Sequence, residues 1–245
     1  MFRLFRLILF HLKVYVRNQY FLWLPITSTL SIFFLQYLAA YAYGGLTDNS
    51  LWLRSAIFGL WTSATTATGS IGFQRRQGTL RYLINTNIHD SLSLLALILP
   101  ASIFGLISFP LSYFLAIMMG LPVDNMSLEV AALILLMWLA IAVMDLLIAA
   151  FFVLTRNAIV YENLLHVPIM LLAGLIGSGE GLLKISSLAQ WVIPVVVPIQ
   201  RLLGDSTHFY WLAFWVSLFL WGILAVTLGR WLLNKAKTNG EGGMI

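Results

Sequence analysis

An all-α integral membrane protein is the fold class this sequence predicts, and three observations predict it. Hydrophobic residues make up 60% of the 245 positions and charged residues only 9%, against about 25% charged in a soluble domain. Residues 55–73, 91–123 and 209–229 carry no charge at all. The 14 Lys and Arg gather at the ends of such stretches, as membrane topology signals do. A net charge of +5 spread in this way calls for no nucleic-acid partner; membrane lipid is the expected surroundings.

Crossing about 30 Å of hydrocarbon at 1.5 Å per residue takes about 20 apolar residues. Six segments meet that length: residues 20–43, 55–73, 91–123, 130–155 with Asp145 inside, 163–179 interrupted by His166, and 209–229. Residues 185–200 make a poor seventh, because the stretch is short and holds Pro194 and Pro198, either of which breaks a helix interior. With six spans and a cytoplasmic N-terminus, only Arg54, Lys184 and Arg201 of the 14 basic residues fall outside, as the positive-inside rule requires. A seventh span would weaken that asymmetry. The expected topology is multi-pass with both termini cytoplasmic and residues 180–208 as a broken, re-entrant element outside, its irregular backbone covered by protein or facing a wet cavity.

Ahead of the spans, Arg3, Arg6, Lys13 and Arg17 fall within an arc of about 80° at 100° per residue. Leu4, Leu7, Ile8 and Leu12 lie mostly elsewhere, although Phe10 intrudes on the basic arc. Residues 1–19 therefore read as an amphipathic helix in the membrane interface. A cleaved signal peptide does not fit, because basic residues continue to Arg17 and the next apolar run is residues 20–43, longer than an h-region of about 7–15 residues. Residues 20–233 form the membrane domain, and the polar, glycine-containing residues 234–245 read as a flexible cytoplasmic tail. Cysteine is absent, which excludes disulfides, thiolate nucleophiles and cysteine-ligated metal.

The longest polar stretch on the expected cytoplasmic side lies within residues 73–90. Thr79 after Gly78 suits a helix cap, and Leu80, Leu83 and Ile84 then share one face. Such a short amphipathic helix is what a peripheral subunit grips, and an ordinary topogenic loop is the alternative. Gly78, Thr79 and Leu80, with Leu83 and Thr86 beyond, resemble the E-R-E-x-G-T-L-E-x-L-x-x-T-P segment of type-2 ABC exporter permeases. Gln74, Arg76 and Arg81 stand where that family has Glu, and Asn87 where it has Pro.

The resemblance implies a permease subunit of an ATP-binding cassette exporter in a bacterial cytoplasmic membrane, moving a substrate such as a peptide or drug. It implies that residues 73–90 contain a coupling helix for a separate cytoplasmic ATPase, using Arg75, Arg76, Gln77, Gly78, Thr79, Leu80, Arg81, Leu83 and Ile84. A second permease chain, identical or related, is implied too. This chain has no G-x-x-x-x-G-K-[ST] phosphate loop, so ATP and magnesium are expected on the partner and no cofactor here. A secondary transporter or channel subunit is the alternative. No catalytic signature such as G-x-S-x-G or H-E-x-x-H is present, and no enzyme activity is expected of the chain.

Within the spans two features stand out. Asp145 is the acid placed deepest in an apolar stretch, where a charge costs about 2.5–3.5 kcal/mol on insertion scales. It is either a pathway or gating residue or a carboxylate paired with a polar group on a neighbouring helix. Residues 61–72 read W-T-S-A-T-T-A-T-G-S-I-G, small enough for close helix packing, and the resemblance places Thr62, Thr65 and Thr66 near the translocation pathway. His11, His89, His166 and His208 lack metal-ligand spacing, so no metal site is expected. Asn125, Met126 and Ser127 form a sequon that a bacterial origin would leave idle.

Overall fold

The computed structural model describes residues 2–43, 49–78, 80, 90–123, 127–155, 158–175, 180–204 and 206–238. Every element among them is helical: α1 (Phe2–Arg17), α2 (Gln19–Tyr43), α3 (Leu51–Arg76), α4 (Asp90–Ile103), a 3-10 turn (Phe104–Ile107), α5 (Ser108–Met118), α6 (Leu128–Leu154), α7 (Ala158–Leu172), α8 (Glu180–Ala189), α9 (Val196–Leu202) and α10 (Trp211–Thr238). By length and apolarity four helices can cross a membrane: Gln19–Tyr43, Leu92–Met118, Leu128–Leu154 and Trp211–Ala236. The protein is thus an all-helical, multi-pass membrane protein. Two of the six expected spans do not meet that criterion. The hydroxyls of α3 dilute its apolarity over 26 residues, and α7 has 15 residues, about 22 Å of helix.

Two buried clusters divide the bundle along its length. One joins Phe33, Trp52, Leu60, Leu133, Met137, Val196, Ile199 and Phe214. The other joins Tyr15, Phe21, Ile71, Leu80, Leu94, Phe152, Val153, Leu232 and Ala236. Successive helices run alternately between them. α2 passes from Phe21 to Phe33, α3 from Trp52 to Ile71, α4 with α5 from Leu94 to Ala116, α6 from Leu133 to Val153, and α10 from Phe214 to Ala236. α7 follows the same alternation, with Leu165 against the second cluster and Met170 in the first. The helix α1 and the last turns of α3, α6 and α10 therefore share one end, and α8 and α9 sit at the other.

The helix α3 is the axis of this bundle, touching α2, α4, α5, α6 and α7. A helix enclosed by protein needs no lipid-facing apolar surface, which is why α3 tolerates so many hydroxyls. Its packing is close: a Cβ on Gly59 would lie 2.0 Å from Thr29 Oγ1 and 2.7 Å from Ser108 Cβ, and one on Gly105 would lie 2.9 Å from Leu60 Cα. Hydroxyls stitch the same seams. Ser63 donates to the Ala101 carbonyl (2.9 Å) and Ser112 to the Trp52 carbonyl (2.7 Å), while Trp138 donates to Ser102 Oγ (3.1 Å).

Residues 180–202 form two short helices, α8 and α9, separated by a turn. Pro194 lies in the turn between α8 and α9, and Pro198 falls in the first turn of α9, where its missing N–H breaks no helical bond. Neither helix is long enough to span. Val195, Val196, Val197 and Ile199 are buried, Gln200 donates to Ser186 Oγ (2.8 Å), and Trp221 of α10 donates to the Val192 carbonyl (2.7 Å). At the opposite terminus α10 continues to Thr238, past the expected start of the flexible tail at residue 234. Burial of Leu232, Leu233 and Ala236 holds those turns; residues 239–245 lie outside the described residues.

The helix α1 carries three stripes. His11 and Tyr15 are buried on one side, Phe5, Leu9 and Val16 are exposed beside them, and the four basic residues occupy the remainder. The Tyr15 hydroxyl approaches Ser70 and Gln74 of α3, and burial raises its pKa. His11 Nε2 is buried with no hydrogen-bond partner among the described residues, and burial lowers its pKa from the ordinary 6.5. The undocked helix takes up a proton as pH falls through about 6.5, while the docked one does not, so docking is favoured above that value and lost progressively below it. Protection factors for amide exchange along α1, which divide out the fall in intrinsic exchange rate toward acid pH, are accordingly expected to be lower at pH 5 than at pH 7.5, and His11→Phe is expected to remove that difference in protection.

Candidate functional site: a lateral groove along α2 and α3

The small residues of α3 leave a groove against α2 that runs along the bundle. Its central part, about 470 Å³, is lined by Tyr20, Leu24, Ser28 and Ile32 of α2, by Phe58, Trp61, Thr62, Thr65 and Thr66 of α3, and by His166, Val167 and Met170 of α7. At the α1 end it adjoins a cavity of about 370 Å³ lined by Asn18, Tyr20, Phe21, Thr66, Gly69, Ser70, Phe73 and Arg76. At the far end it adjoins one lined by Ile32, Leu35, Gln36, Ala39, Ala40, Leu51, Arg54, Phe58 and Leu175. Tyr20 and Thr66 are common to the first pair of cavities, and Ile32 and Phe58 to the second.

The threonines of this wall are hydrogen-bonded within their own helix. Thr62, Thr65 and Thr66 donate to the carbonyls of Phe58 (2.9 Å), Trp61 (2.8 Å) and Thr62 (2.8 Å). Ser28 Oγ lies 2.8 Å from Thr62 Oγ1 and ties α2 across the groove floor.

Asp145 does not line the groove. It is fully buried on α6, with its Oδ1 3.9 Å from His166 Nε2, an electrostatic contact longer than a hydrogen bond. The His166 ring stands edge-on to Trp61, centroids 5.9 Å apart, and one side of it reaches the groove. The carboxylate thus meets a polar group on a neighbouring helix, and that group is what faces the cavity. Sequence reasoning left His166 among scattered histidines. The available signal was that a lone intramembrane acid needs a polar neighbour, and His166 is the imidazole that interrupts an apolar segment. No family model matches the chain, and no curated protein or solved structure matches it.

The residues expected to face an ATPase separate into three sets. Arg75 turns inward: its guanidinium donates to the carbonyls of Phe152 (3.2 Å), Val153 and Thr155. These carbonyls end α6, where the last turn has no intrahelical donors and the helix dipole is negative. Leu80 is fully buried against the second cluster, so it covers its own bundle. Arg76, Gln77 and Gly78 are exposed at the end of α3, Gly78 with φ +71° in the left-handed conformation that suits glycine. Thr79, Arg81, Leu83 and Ile84 lie outside the described residues.

At the opposite end of α6, Ser127 Oγ accepts from Val130 N–H (3.2 Å) as an N-cap. Arg201 of α9 donates from Nη2 to Glu129 Oε1 (2.6 Å) and from Nη1 to the Thr207 carbonyl (3.0 Å).

Proposed function

We propose that this chain is the membrane-spanning permease half of an ATP-driven exporter, paired with a second permease chain and powered by a separate cytoplasmic ATPase. The observation that carries the reading is the order of the bundle. Six segments alternate between two ends, and α1, the exposed corner at Arg76–Gly78 and the end of α10 share one of them. That arrangement supports six passes: α3 crosses inside a protein sheath, and α7 crosses as a short helix continued by the turn after it. It also favours one face for both termini and the coupling region, with α8 and α9 opposite. The basic residues at the α1 end favour the cytoplasm for that face. The groove supplies a lateral path along Thr62, Thr65 and Thr66.

Leu83 belongs to the coupling segment by its place in the motif, and burying one leucine side chain is worth about 1.5–3 kcal/mol. Purified from its native membrane, the chain is expected to bring down a phosphate-loop ATPase, and Leu83→Asp is expected to reduce that recovery and transport together. A second reading, a proton-coupled secondary transporter, is favoured by the buried Asp145–His166 pair, since such pairs mark proton relays in membranes. Transport by the chain alone in liposomes, driven by a pH gradient, would select it.

A further inference from the structure

We propose that the α2–α3 groove binds a membrane amphiphile with an anionic head, the head on Arg76 and the apolar chain lying along α2. The inference takes the groove as a ligand path, as the exporter reading does, and narrows its occupant. Among the described residues that line the three adjoining cavities there is no acidic side chain, and an arginine stands at each end. Arg76 is exposed at the α1 end, beside the interfacial helix and so at headgroup level. A guanidinium there, with the Asn18 side-chain amide in the same cavity, offers hydrogen bonds, charge-assisted from the arginine, to a phosphate or carboxylate.

Above this head cavity most of the wall suits hydrocarbon. Thr62, Thr65 and Thr66 have their hydroxyl protons committed to carbonyls of α3, so these three side chains present no free donor to an apolar chain, and Trp61 Nε1, unpartnered among the described residues, is itself buried. Leu24, Ile32, Phe58, Val167 and Met170 supply the remaining apolar contact. From Tyr20 to Ile32 the groove follows about 18 Å of helix, a little over half of the roughly 30 Å hydrocarbon core. That is the reach of a chain from one leaflet.

The test uses the purified full-length chain in detergent, mixed with phosphatidylglycerol or with phosphatidylcholine of the same acyl chains, and native mass spectrometry to count retained lipid. Wild type is expected to hold phosphatidylglycerol about tenfold more tightly. Arg76→Gln should erase that preference and Arg76→Lys should keep most of it. Ile32→Trp, which fills the tail groove with an apolar ring, should lower retention of both lipids. Inorganic phosphate should fail to displace the bound lipid. Equal retention of the two lipids by wild type, an unchanged preference in Arg76→Gln, full retention by Ile32→Trp, or displacement by phosphate would each overturn the assignment. No ATPase is present, so a failure here speaks against the ligand, whereas loss of ATPase recovery from native membranes speaks against the exporter reading.

Discussion

Gly59→Leu is expected to abolish the folded bundle. At this position α2, α3 and α5 meet with no space for a Cβ: Thr29 Oγ1 would lie at 2.0 Å, Ser108 Oγ at 2.2 Å and Ser108 Cβ at 2.7 Å. Rotating the two hydroxyls clears two of these contacts, but Ser108 Cβ is fixed to the backbone, so the helices themselves must separate. Gly59→Ala then costs about 1–3 kcal/mol, the usual range for overpacking, and leucine adds three more carbons to the same gap. Separation also opens the neighbouring seam, where Ser112 bonds to the Trp52 carbonyl. The measurement is the yield of monodisperse protein and its thermal unfolding in mild detergent. Gly222→Ala on α10 is the control, because nothing lies within 4 Å of its Cβ and alanine is the better helix former. A monodisperse Gly59→Leu protein melting like wild type would mean that the α2–α3–α5 contact is looser than described.

The second large effect is expected at Arg75. Its guanidinium serves three terminal carbonyls of α6 at once, and hydrogen bonds to a charged group contribute about 1.5–3 kcal/mol. Arg75→Ala leaves those carbonyls without the donor and removes the positive charge from the negative end of the helix dipole. A loss of roughly 3 kcal/mol is expected, with faster hydrogen exchange confined to the last turn of α6. Arg75→Lys should recover only part, since an ammonium is a point charge and lacks the planar fork that spans several acceptors. Arg76→Ala, its exposed neighbour, should stay within about 0.5 kcal/mol of wild type. If Arg75→Ala unfolds with wild type, the cap is not what holds the two helices together at this end.

These two residues also show what the sequence discloses and what it conceals. The apolar runs of α2, α4 with α5, α6 and α10 are legible because lipid-facing helices must be apolar on nearly all sides. Pro194 and Pro198 are legible because proline acts locally. α3 is legible as an uncharged run, but its enclosure is not: its neighbours take the place of lipid, and nothing local in its small and hydroxylated residues says so. Arg75 reads as one more topogenic charge, since nothing in a run of basic residues says which will reach a distant helix end. Leu80 reads as part of an exposed apolar stripe, yet it is buried in the cluster that also holds Tyr15 and Phe152, a placement that no local pattern reveals. The candidate site was half visible. Thr62, Thr65 and Thr66 stood out by composition, whereas the pairing of Asp145 with His166 depends on how α6 and α7 pack, which periodicity does not encode.

The two ends of α6 are held by arginines of different electrical character. Arg75 meets neutral carbonyl dipoles in a half-buried setting, whereas Arg201 meets a carboxylate whose side chain is 60% exposed. Mobile ions weaken the second contact, an exposed pair of the kind worth about 0–1 kcal/mol, more than they weaken the first. Salt therefore loosens the tether between α9 and the start of α6 slightly and leaves the cap at the other end of α6 nearly unchanged.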